Sequence, residues 1–394
     1  MSKKKIVVVG NGMVGHKFID NILQSDSDEF DVITFSEEPR LAYDRVQLTA
    51  YFKRGNADDL ALTSEEYYQS NGVNYLLNAK VAQLDTENKC VVTESGHTES
   101  YDTLILATGS FPFVPPIPGN DQEHCHVYRT IEDLDAIELS SKGSKSGVVI
   151  GGGLLGLEAA NAVKNLGLET HVVEFAPRLM AVQLDDGGGA LLRRKIEDLG
   201  VQVHTEKATS EIVSGESARY RMNFADGTHL ETDMIVFSAG IRPQDALARS
   251  SDIAIGERGG IVINDHCQTN IDNVYAIGDC AEIKGRVMAY LQPAILSANV
   301  LAKQLTMDKG EIKVDEAKLS LPHMFTKVKS PSYPIQLAGR DIHTAQSWET
   351  RFDPKGIVAK GFNEDNQLVG FIVTGEHTKA AFPLLKELQT SSPA

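Results

Sequence analysis

Gly10-Asn11-Gly12-Met13-Val14-Gly15 is a glycine-rich turn between two segments of different hydrophobic period. The continuous β-branched run Ile6-Val7-Val8-Val9 comes before it, and a segment with helical spacing of its apolar residues follows it as far as Leu23. A buried strand, a glycine turn and a helix in this order are typical of a dinucleotide-binding unit, because the N–H groups at the start of the helix bind phosphate.

The glycines of this turn have separate tasks in such a unit. Gly10 permits the tight turn, Gly12 lets a pyrophosphate approach the backbone, and Gly15 lets the helix pack closely on the strand. A second apolar run, from 32 to 35, ends before Glu37 and Glu38, which places an acidic pair where such units bind a ribose. A glycine turn alone is a weak signal, and this acidic pair strengthens it.

The same arrangement recurs after residue 146. Gly147-Val148-Val149-Ile150 leads into Gly151-Gly152-Gly153-Leu154-Leu155-Gly156, then a helix through Leu166 and a strand that ends at Glu174. The glycines repeat the spacing of the first turn. Two copies in the same context predict an α/β fold with two Rossmann-like dinucleotide-binding domains.

The remaining segments predict how the chain connects these domains. Residues 103–110 read as a buried strand that ends in a turn, and the proline-rich stretch 111–119 is predicted to be the linker that follows it. Two later strands end near Gly240 and at Gly278-Asp279, so the first domain is predicted to resume after the second. From about Ser320 the chain becomes strand-rich, which predicts a small C-terminal α+β domain.

Composition excludes several classes of function. The 394 residues are long enough for two or three domains, and a net charge of −16 disfavours nucleic acid as a partner. The sequence shows no signal peptide and no apolar run of membrane-spanning length, so we expect a cytoplasmic protein without a membrane partner. The four cysteines have no paired spacing, and the histidines have no ligand spacing. We therefore predict no metal site and no redox dithiol.

Taken together, the motifs resemble flavoprotein reductases of the two-dinucleotide-fold class. The first glycine turn, with Ala107-Thr108-Gly109 and Gly278-Asp279, looks like the FAD domain of that superfamily, and the second turn looks like its NAD domain. The resemblance implies an FAD-binding domain at 1–112 and 246–319, an NAD-binding domain at 113–245 and a C-terminal domain at 320–394.

The residues at the second ribose position favour NADH over NADPH. Glu174 ends its strand, where a carboxylate accepts hydrogen bonds from a ribose 2′-hydroxyl and repels a 2′-phosphate. Arg178 lies four residues further on, and an arginine can accommodate a 2′-phosphate. We expect Pro177 to turn the side chain of Arg178 away.

Other roles come from the resemblance. Glu158 matches a glutamate near the nicotinamide and flavin, although an acid in the first turn of the helix is also favoured by the helix dipole alone. Arg45 matches a cation that faces FAD, with a solvated loop residue as the alternative. We also expect the helix that opens near Gln292 to point its positive end toward the flavin pyrimidine.

The region from Glu37 to Lys53 contains no cysteine. In this superfamily the disulfide reductases carry a cysteine pair there, and the peroxide, coenzyme A disulfide and water-forming oxidase branch carries a single cysteine. Without a thiol, reduced FAD is expected to deliver electrons directly to an acceptor.

Two closer resemblances suggest which acceptor. Residues 6–280 are similar to the flavin module of the NAD(P)H nitrite reductase large subunit, on motifs such as Tyr43-Asp44-Arg45 and Tyr128-Arg129-Thr130. The part around Val328-Lys329-Ser330-Pro331 is similar to rubredoxin reductases, in which the matching lysine lies near the flavin. Many ferredoxin reductases have a lysine where this chain has Ala50, so Lys329 either replaces that charge or is a surface lysine.

The sequence therefore predicts an FAD-dependent NADH oxidoreductase that passes electrons to a rubredoxin, a ferredoxin or a nitrate or nitrite reductase component, and acts as a monomer or homodimer. The alternatives are an NADH oxidase or diaphorase that reduces oxygen or a quinone, and a redox-sensing FAD- and NADH-binding module. Glu158 and Lys329 are the candidate catalytic residues. The predicted cofactor contacts are Gly10, Gly12, Met13, Gly15, Glu37, Glu38, Arg45, Ala107, Thr108, Gly109, Gly151, Gly153, Leu154, Gly156, Glu158, Glu174, Gly240, Gly278, Asp279 and Gln292.

Overall fold

A computed structural model of the chain describes residues 3–25, 29–307, 318–320, 323, 325–328, 334–339 and 342–391. The chain divides into two compact units. The first comprises Met1–Arg45, Asn56–Phe111 and Ile241–Ser320, and the second comprises Val46–Gly55, Pro112–Gly240 and Leu321–Ala394. The domain boundaries given above stay predictions.

Both units contain helices and strands. The helices are α1 (Met13–Leu23), α2 (Leu48–Arg54), α3 (Glu65–Ser70), α4 (Ile131–Ser141), α5 (Leu154–Asn165), α6 (Asp186–Asp198), α7 (Ala246–Arg249), α8 (Leu291–Thr306) and α9 (Ala381–Ser391). The strands are β1 (Lys4–Val9), β2 (Phe30–Phe35), β3 (Asn74–Leu76), β4 (Val81–Asp85), β5 (Cys90–Thr93), β6 (Thr98–Ser100), β7 (Thr103–Leu106), β8 (Ser110–Pro112), β9 (Cys125–Val127), β10 (Ser146–Ile150), β11 (Glu169–Val173), β12 (Val201–His204), β13 (Thr209–Ser214), β14 (Tyr220–Phe224), β15 (His229–Thr232), β16 (Met234–Phe237), β17 (Ile241–Pro243), β18 (Ile261–Ile263), β19 (Val274–Ala276), β20 (Ala281–Ile283), β21 (Arg286–Val287), β22 (Phe325–Val328), β23 (Ile335–Ala338), β24 (Ser347–Asp353), β25 (Gly356–Phe362) and β26 (Leu368–Thr374).

A parallel five-stranded sheet in the order β19-β7-β1-β2-β3 forms the centre of the first unit. The middle strand, β1, carries Ile6, Val7 and Val8, which are all fully buried. A continuous apolar run suits this position because a central parallel strand is covered on both faces. The carboxyl ends of β1, β7 and β19 meet at one edge of the sheet, and the loops that follow them carry the predicted FAD motifs.

The second unit repeats this plan with a parallel sheet in the order β12-β11-β10-β16-β9. Here β10 has the position that β1 has in the first unit, with the next strand of the chain on one side and a later strand on the other. The antiparallel sheet β13-β14-β15 shares a core with this sheet through residues such as Val148, Ile235 and Met222.

An antiparallel sheet in the order β22-β23-β26-β25-β24 forms the C-terminal part of the second unit. One face shares a core with the nucleotide sheet through Ile335, Ile357 and Ile372, and the other packs on α9 through Phe371 and Leu388. Two parallel nucleotide sheets and this small α+β part confirm the predicted fold class. Within the described part of the chain, every helix is too short or too polar to cross a bilayer.

Candidate functional site

The first glycine turn lies against two other predicted motifs of the first unit. A Cβ built on Gly10 would lie 2.2 Å from the Ala107 carbonyl oxygen, and one on Gly15 would lie 2.0 Å from the Gly10 carbonyl oxygen. A Cβ on Gly278 would lie 3.3 Å from the side chain of Val14. The structure therefore brings the glycine turn, Ala107 and Gly278 together, as a nucleotide site requires.

The helices that follow the two glycine turns begin without the usual side-chain caps. Gly12 and Gly153 are the N-cap residues of α1 and α5, neither supplies a side-chain hydrogen bond, and neither helix has an acid in its first turn. A Cβ on either glycine would meet open space. By contrast, Thr130 caps α4 with a capping box, and Asp185 caps α6. First-turn N–H groups without a side-chain acceptor fit an anionic ligand, and this fit supports a diphosphate at each turn.

A buried polar chain fixes Asn11 in the first turn. Tyr68 donates its hydroxyl to Asn11 Oδ1 at 3.0 Å, and His16 Nδ1 lies 3.0 Å from the same hydroxyl. Asn11 is 5% exposed, and its Nδ2 has no hydrogen-bond partner among the described residues. A buried donor without a partner in a phosphate-binding turn is a second feature that fits an anionic cofactor.

Hydrogen bonds hold the other two predicted FAD motifs in place. Thr108 Oγ1 donates to the Gln244 carbonyl oxygen at 2.6 Å, and Ser110 Oγ donates to Asp279 Oδ2 at 2.8 Å. The backbone N–H of Gly278 donates to Ser297 Oγ on α8 at 3.1 Å. Asp279 therefore has a set orientation beside the carboxyl end of β19.

The two acids after β2 have different surroundings. Glu37 is exposed, whereas Glu38 accepts hydrogen bonds from the Tyr43 hydroxyl at 2.9 Å and from Arg45 Nη2. The Arg45 guanidinium also lies over the Tyr43 ring, 5.1 Å from its centroid. Arg45 is thus part of an ion pair beyond the carboxyl end of β2, rather than a solvated loop residue.

The second turn has the same close contacts. A Cβ on Gly151 would lie 2.2 Å from the Ser238 carbonyl oxygen, and one on Gly156 would lie 1.9 Å from the Gly151 carbonyl oxygen. Ser238-Ala239-Gly240 follows β16 as Ala107-Thr108-Gly109 follows β7. Sequence reasoning selected Gly240 from this segment and missed Ser238, whose carbonyl makes the contact.

Glu174 has a fixed orientation at the end of β11. Its carboxylate accepts hydrogen bonds from the backbone N–H of Gly152 at 2.5 Å and from that of Ala176 at 2.7 Å. These two hydrogen bonds tie the acid to the glycine turn and fix its orientation at the end of the strand. Arg178 donates to Asp186 and to two carbonyl oxygens of its own loop, and these hydrogen bonds hold its side chain against the start of α6.

The register of α5 corrects one prediction. The helix begins at Leu154, so its first turn contains no acid and Glu158 lies in the second turn. The helix dipole acts mainly on the first turn. The expectation that the dipole alone favours an acid at position 158 is therefore wrong. Burial and the negative charge of Glu158 raise the pKa of the Tyr128 hydroxyl, which lies 3.0 Å from Thr49 Oγ1 on α2.

Two predicted flavin contacts come from later segments. The helix α8 begins at Leu291 without a side-chain cap, so exposed Gln292 lies in its first turn. Lys329 lies outside the described residues. Its neighbour Lys327, on β22, is exposed and lies over the Phe325 ring, 5.5 Å from the centroid.

Three of the four cysteines, Cys125, Cys267 and Cys280, have the properties of structural thiols. All four are free, and Cys267 and Cys280 are fully buried. Burial raises the pKa of Cys267 to about 12 and that of Cys125 to about 11. Within the described ranges, no group of three or more His, Cys, Asp and Glu side chains has the geometry to hold a metal ion.

Residues 4–317 match the family described as pyridine nucleotide-disulphide oxidoreductase. The chain belongs to this family. Its members use FAD and NAD(P)H. Residues 318–388 match a second family, described as the rubredoxin binding C-terminal domain.

Some relatives match only about three quarters of this chain, and others match nearly all of it. The NADH nitrite reductase large subunit of Escherichia coli strain K12 is 53% identical over 302 residues, which are 76% of this chain and 36% of that protein. The chain spans about a third to a half of the length of the nitrite reductases it matches. The nitric oxide reductase FlRd-NAD(+) reductase of Aliivibrio fischeri is 33% identical over 389 residues, which are 98% of this chain and 99% of that protein.

Among solved structures, NADH:rubredoxin oxidoreductase from Clostridium acetobutylicum has the same fold. Its TM-score is 0.81 at 22% identity, over 99% of this chain and 96% of that chain. These findings confirm both resemblances that the sequence motifs suggested.

Proposed function

We propose that this chain oxidises NADH with FAD and passes the electrons to a separate redox protein of the rubredoxin or iron–sulfur type. The observation that carries the proposal is the union, in one chain, of two nucleotide cradles with a C-terminal part that matches a rubredoxin binding domain. The FlRd-NAD(+) reductase of Aliivibrio fischeri matches this combination over almost its whole length.

In this proposal the first unit holds FAD. The N–H groups at the start of α1 and the Asn11 amide bind the diphosphate, Glu38 binds the adenosine ribose, and Asp279 binds the ribityl or phosphate region. When bound, FAD accepts electrons from NADH and releases them to an acceptor. The protein contributes fixed donors, because Tyr68 orients Asn11 and Ser110 orients Asp279.

The second unit holds NADH in the same proposal. The start of α5 binds its diphosphate, and the Glu174 carboxylate accepts hydrogen bonds from the adenosine ribose. Glu158 lies near the nicotinamide end as a candidate catalytic residue. Lys329 is retained as a candidate flavin contact only on the resemblance.

Electrons leave without a protein disulfide. A redox-active thiol needs thiolate character, and burial raises the pKa of Cys125, Cys267 and Cys280 instead of lowering it. The segment from Glu37 to Lys53 contains no cysteine. A cluster-bearing or rubredoxin-type partner therefore accepts the electrons directly, with a nitrate or nitrite reductase component as one form of that partner.

The C-terminal sheet offers a surface for such a partner. Exposed Lys327 lies beside Phe325, and the Phe325 ring centroid is 6.0 Å from that of Phe382, which is 73% exposed. A cation beside a half-buried and an exposed aromatic ring suits a small acidic protein, even on a chain of net charge −16, because the local electrostatic field decides docking. We propose that the protein acts as a monomer or homodimer.

Steady-state kinetics test the proposal. The FAD-loaded protein should oxidise NADH rapidly with ferricyanide and with a rubredoxin, and slowly with oxygen. Faster oxygen or quinone reduction than rubredoxin reduction would identify an oxidase or diaphorase. FAD and NADH binding without turnover on any acceptor would identify a redox-sensing module.

A further inference from the structure

The loop between Glu174 and α6 contains an arginine that is restrained. The Glu174 carboxylate and the Met180 backbone both form hydrogen bonds with Gly152, at 2.5 Å and 3.0 Å. Arg178 lies between these two residues in the chain, so its backbone belongs to the loop that borders the ribose-binding acid. Its side chain nevertheless points toward α6.

Three hydrogen bonds hold the guanidinium there. Arg178 Nε donates to the Leu184 carbonyl oxygen at 2.7 Å, Nη1 donates to Asp186 Oδ1 at 2.7 Å, and Nη2 is 3.4 Å from the Ala181 carbonyl oxygen. Asp186 is its ion-pair partner, and the Asp186 side chain is 93% exposed.

The glycine run of α6 creates the space for this conformation. A Cβ on Gly189 would lie 2.7 Å from Arg178 Cβ and 2.8 Å from its Cδ, so only glycine lets the arginine lie across the helix. Leu179, Met180 and Leu184, which follow the arginine in the chain, are almost fully buried and anchor the loop on its C-terminal side.

A second cation near Glu174, the ammonium of Lys207, is also held by an ion pair. The Lys207 N–H donates to the Glu174 carbonyl oxygen at 3.0 Å, which places the two backbones side by side. The Lys207 ammonium lies 2.5 Å from Asp226 Oδ2 and 2.8 Å from Thr228 Oγ1.

We propose that Arg178 is a latent ligand for a ribose 2′-phosphate, and that Asp186 is the positioning residue that keeps it from that role. Selection of NADH then depends on two features, the repelling charge of Glu174 and the restraint of Arg178. This inference rests on the proposed NADH site in the second unit. A 2′-phosphate can compete with the two carbonyl acceptors because charge-assisted hydrogen bonds are roughly twice as strong as neutral ones. The 2′-phosphate competes poorly for the Arg178 guanidinium while the Asp186 carboxylate is its ion-pair partner.

Binding of two nucleotide fragments tests the proposal. The probes are 5′-AMP and 2′,5′-ADP, which differ by the 2′-phosphate, titrated calorimetrically into FAD-loaded protein. In a Glu174→Gln background, Asp186→Ala should strengthen 2′,5′-ADP binding by about tenfold and leave 5′-AMP binding unchanged. Adding Arg178→Ala should remove the gain, and higher salt should reduce it.

A matched control uses another ion pair on the same helix. Glu197 Oε1 lies 2.8 Å from Arg193 Nε, and Glu197→Ala removes one exposed α6 carboxylate just as Asp186→Ala does. It should leave 2′,5′-ADP binding unchanged. Because Asp186 is so exposed, its replacement should not disturb folding, which circular dichroism checks.

The outcomes separate this inference from the proposed function. No gain from Asp186→Ala, or a gain that survives Arg178→Ala, overturns the role of Arg178, and a gain lost only with Lys207→Ala assigns it to the second cation instead. If 5′-AMP fails to bind the unmodified protein and NADH is not oxidised, the NADH site itself is wrong.

Discussion

Tyr68→Phe removes one oxygen atom from the centre of a buried polar chain. The Tyr68 hydroxyl donates to Asn11 Oδ1 at 3.0 Å, and His16 Nδ1 lies 3.0 Å from the same hydroxyl. Tyr68 is fully buried, and burial lowers the pKa of His16 and raises that of the phenol. Water therefore has no easy way to replace the lost group.

The size of the effect follows from these contacts. Two neutral hydrogen bonds contribute about 0.5–1.5 kcal/mol each, and a buried acceptor left without a partner costs about 1–3 kcal/mol. The phenyl ring keeps its packing, so no large cavity forms. We expect the free energy of unfolding of the FAD-free protein to fall by about 2–4 kcal/mol.

Urea unfolding followed by circular dichroism measures this change, and a flavin fluorescence titration measures FAD affinity. Affinity should fall as well, because the Asn11 amide is no longer oriented in the glycine turn. Tyr67→Phe is the matched control, since the half-buried Tyr67 hydroxyl donates to Asp20 on α1 at 2.9 Å instead of to the glycine turn. A loss for Tyr68→Phe below about 1 kcal/mol, or no larger than that for Tyr67→Phe, would refute the reasoning.

Four further results are expected. Glu174→Ser should weaken NADH binding much more than NADPH binding, and equal KM values for both in the unmodified protein would contradict the role of this acid. Replacing all four cysteines should leave NADH-to-ferricyanide turnover intact, and a loss with FAD still bound would exclude direct electron exit. Burial lowers the pKa of both His171 and His204 below the usual 6.5, so the free energy of unfolding should be highest above about pH 6.5 and should fall as the pH drops below it. His171→Gln should reduce this pH dependence, as measured by urea unfolding at several pH values. Rising salt, or Lys327→Glu, should slow rubredoxin reduction in stopped flow but leave ferricyanide turnover unchanged, and salt independence would exclude electrostatic docking.

The elements next to the glycine turns were predictable because their signals are local. A β-branched run, a glycine and a change to helical period stand side by side in the sequence, and α1 begins at Met13 as this pattern indicates. The position of Glu158 was wrong by one turn, because Gly153 is the N-cap and the helix starts only at Leu154. A shift of one or two residues at a helix start changes which side chains feel its dipole.

Contacts between distant segments left no comparable signal. Tyr68 is 57 positions from Asn11, and no spacing rule connects a tyrosine in α3 with a glycine turn. The conformation of Arg178 depends on Gly189, which alone looks like an unfavourable residue inside a helix. Both features can be recognised only from the tertiary structure, because each depends on a contact with a residue that is distant in the sequence.

The C-terminal sheet is packed firmly on the rest of the second unit. Its Ile335, Ile357 and Ile372 belong to the same buried core as the nucleotide sheet of the second unit, so the sheet is not a separately tethered arm. Thr350 on β24 also donates to Asp185, the N-cap of the helix that restrains Arg178. Under the proposed function, a redox protein docked on this sheet would be held in a fixed relation to the glycine turn that is proposed to bind NADH in the same unit. We therefore expect that a change of acceptor specificity needs replacement of the exposed Lys327 and Phe382 while this buried face is kept.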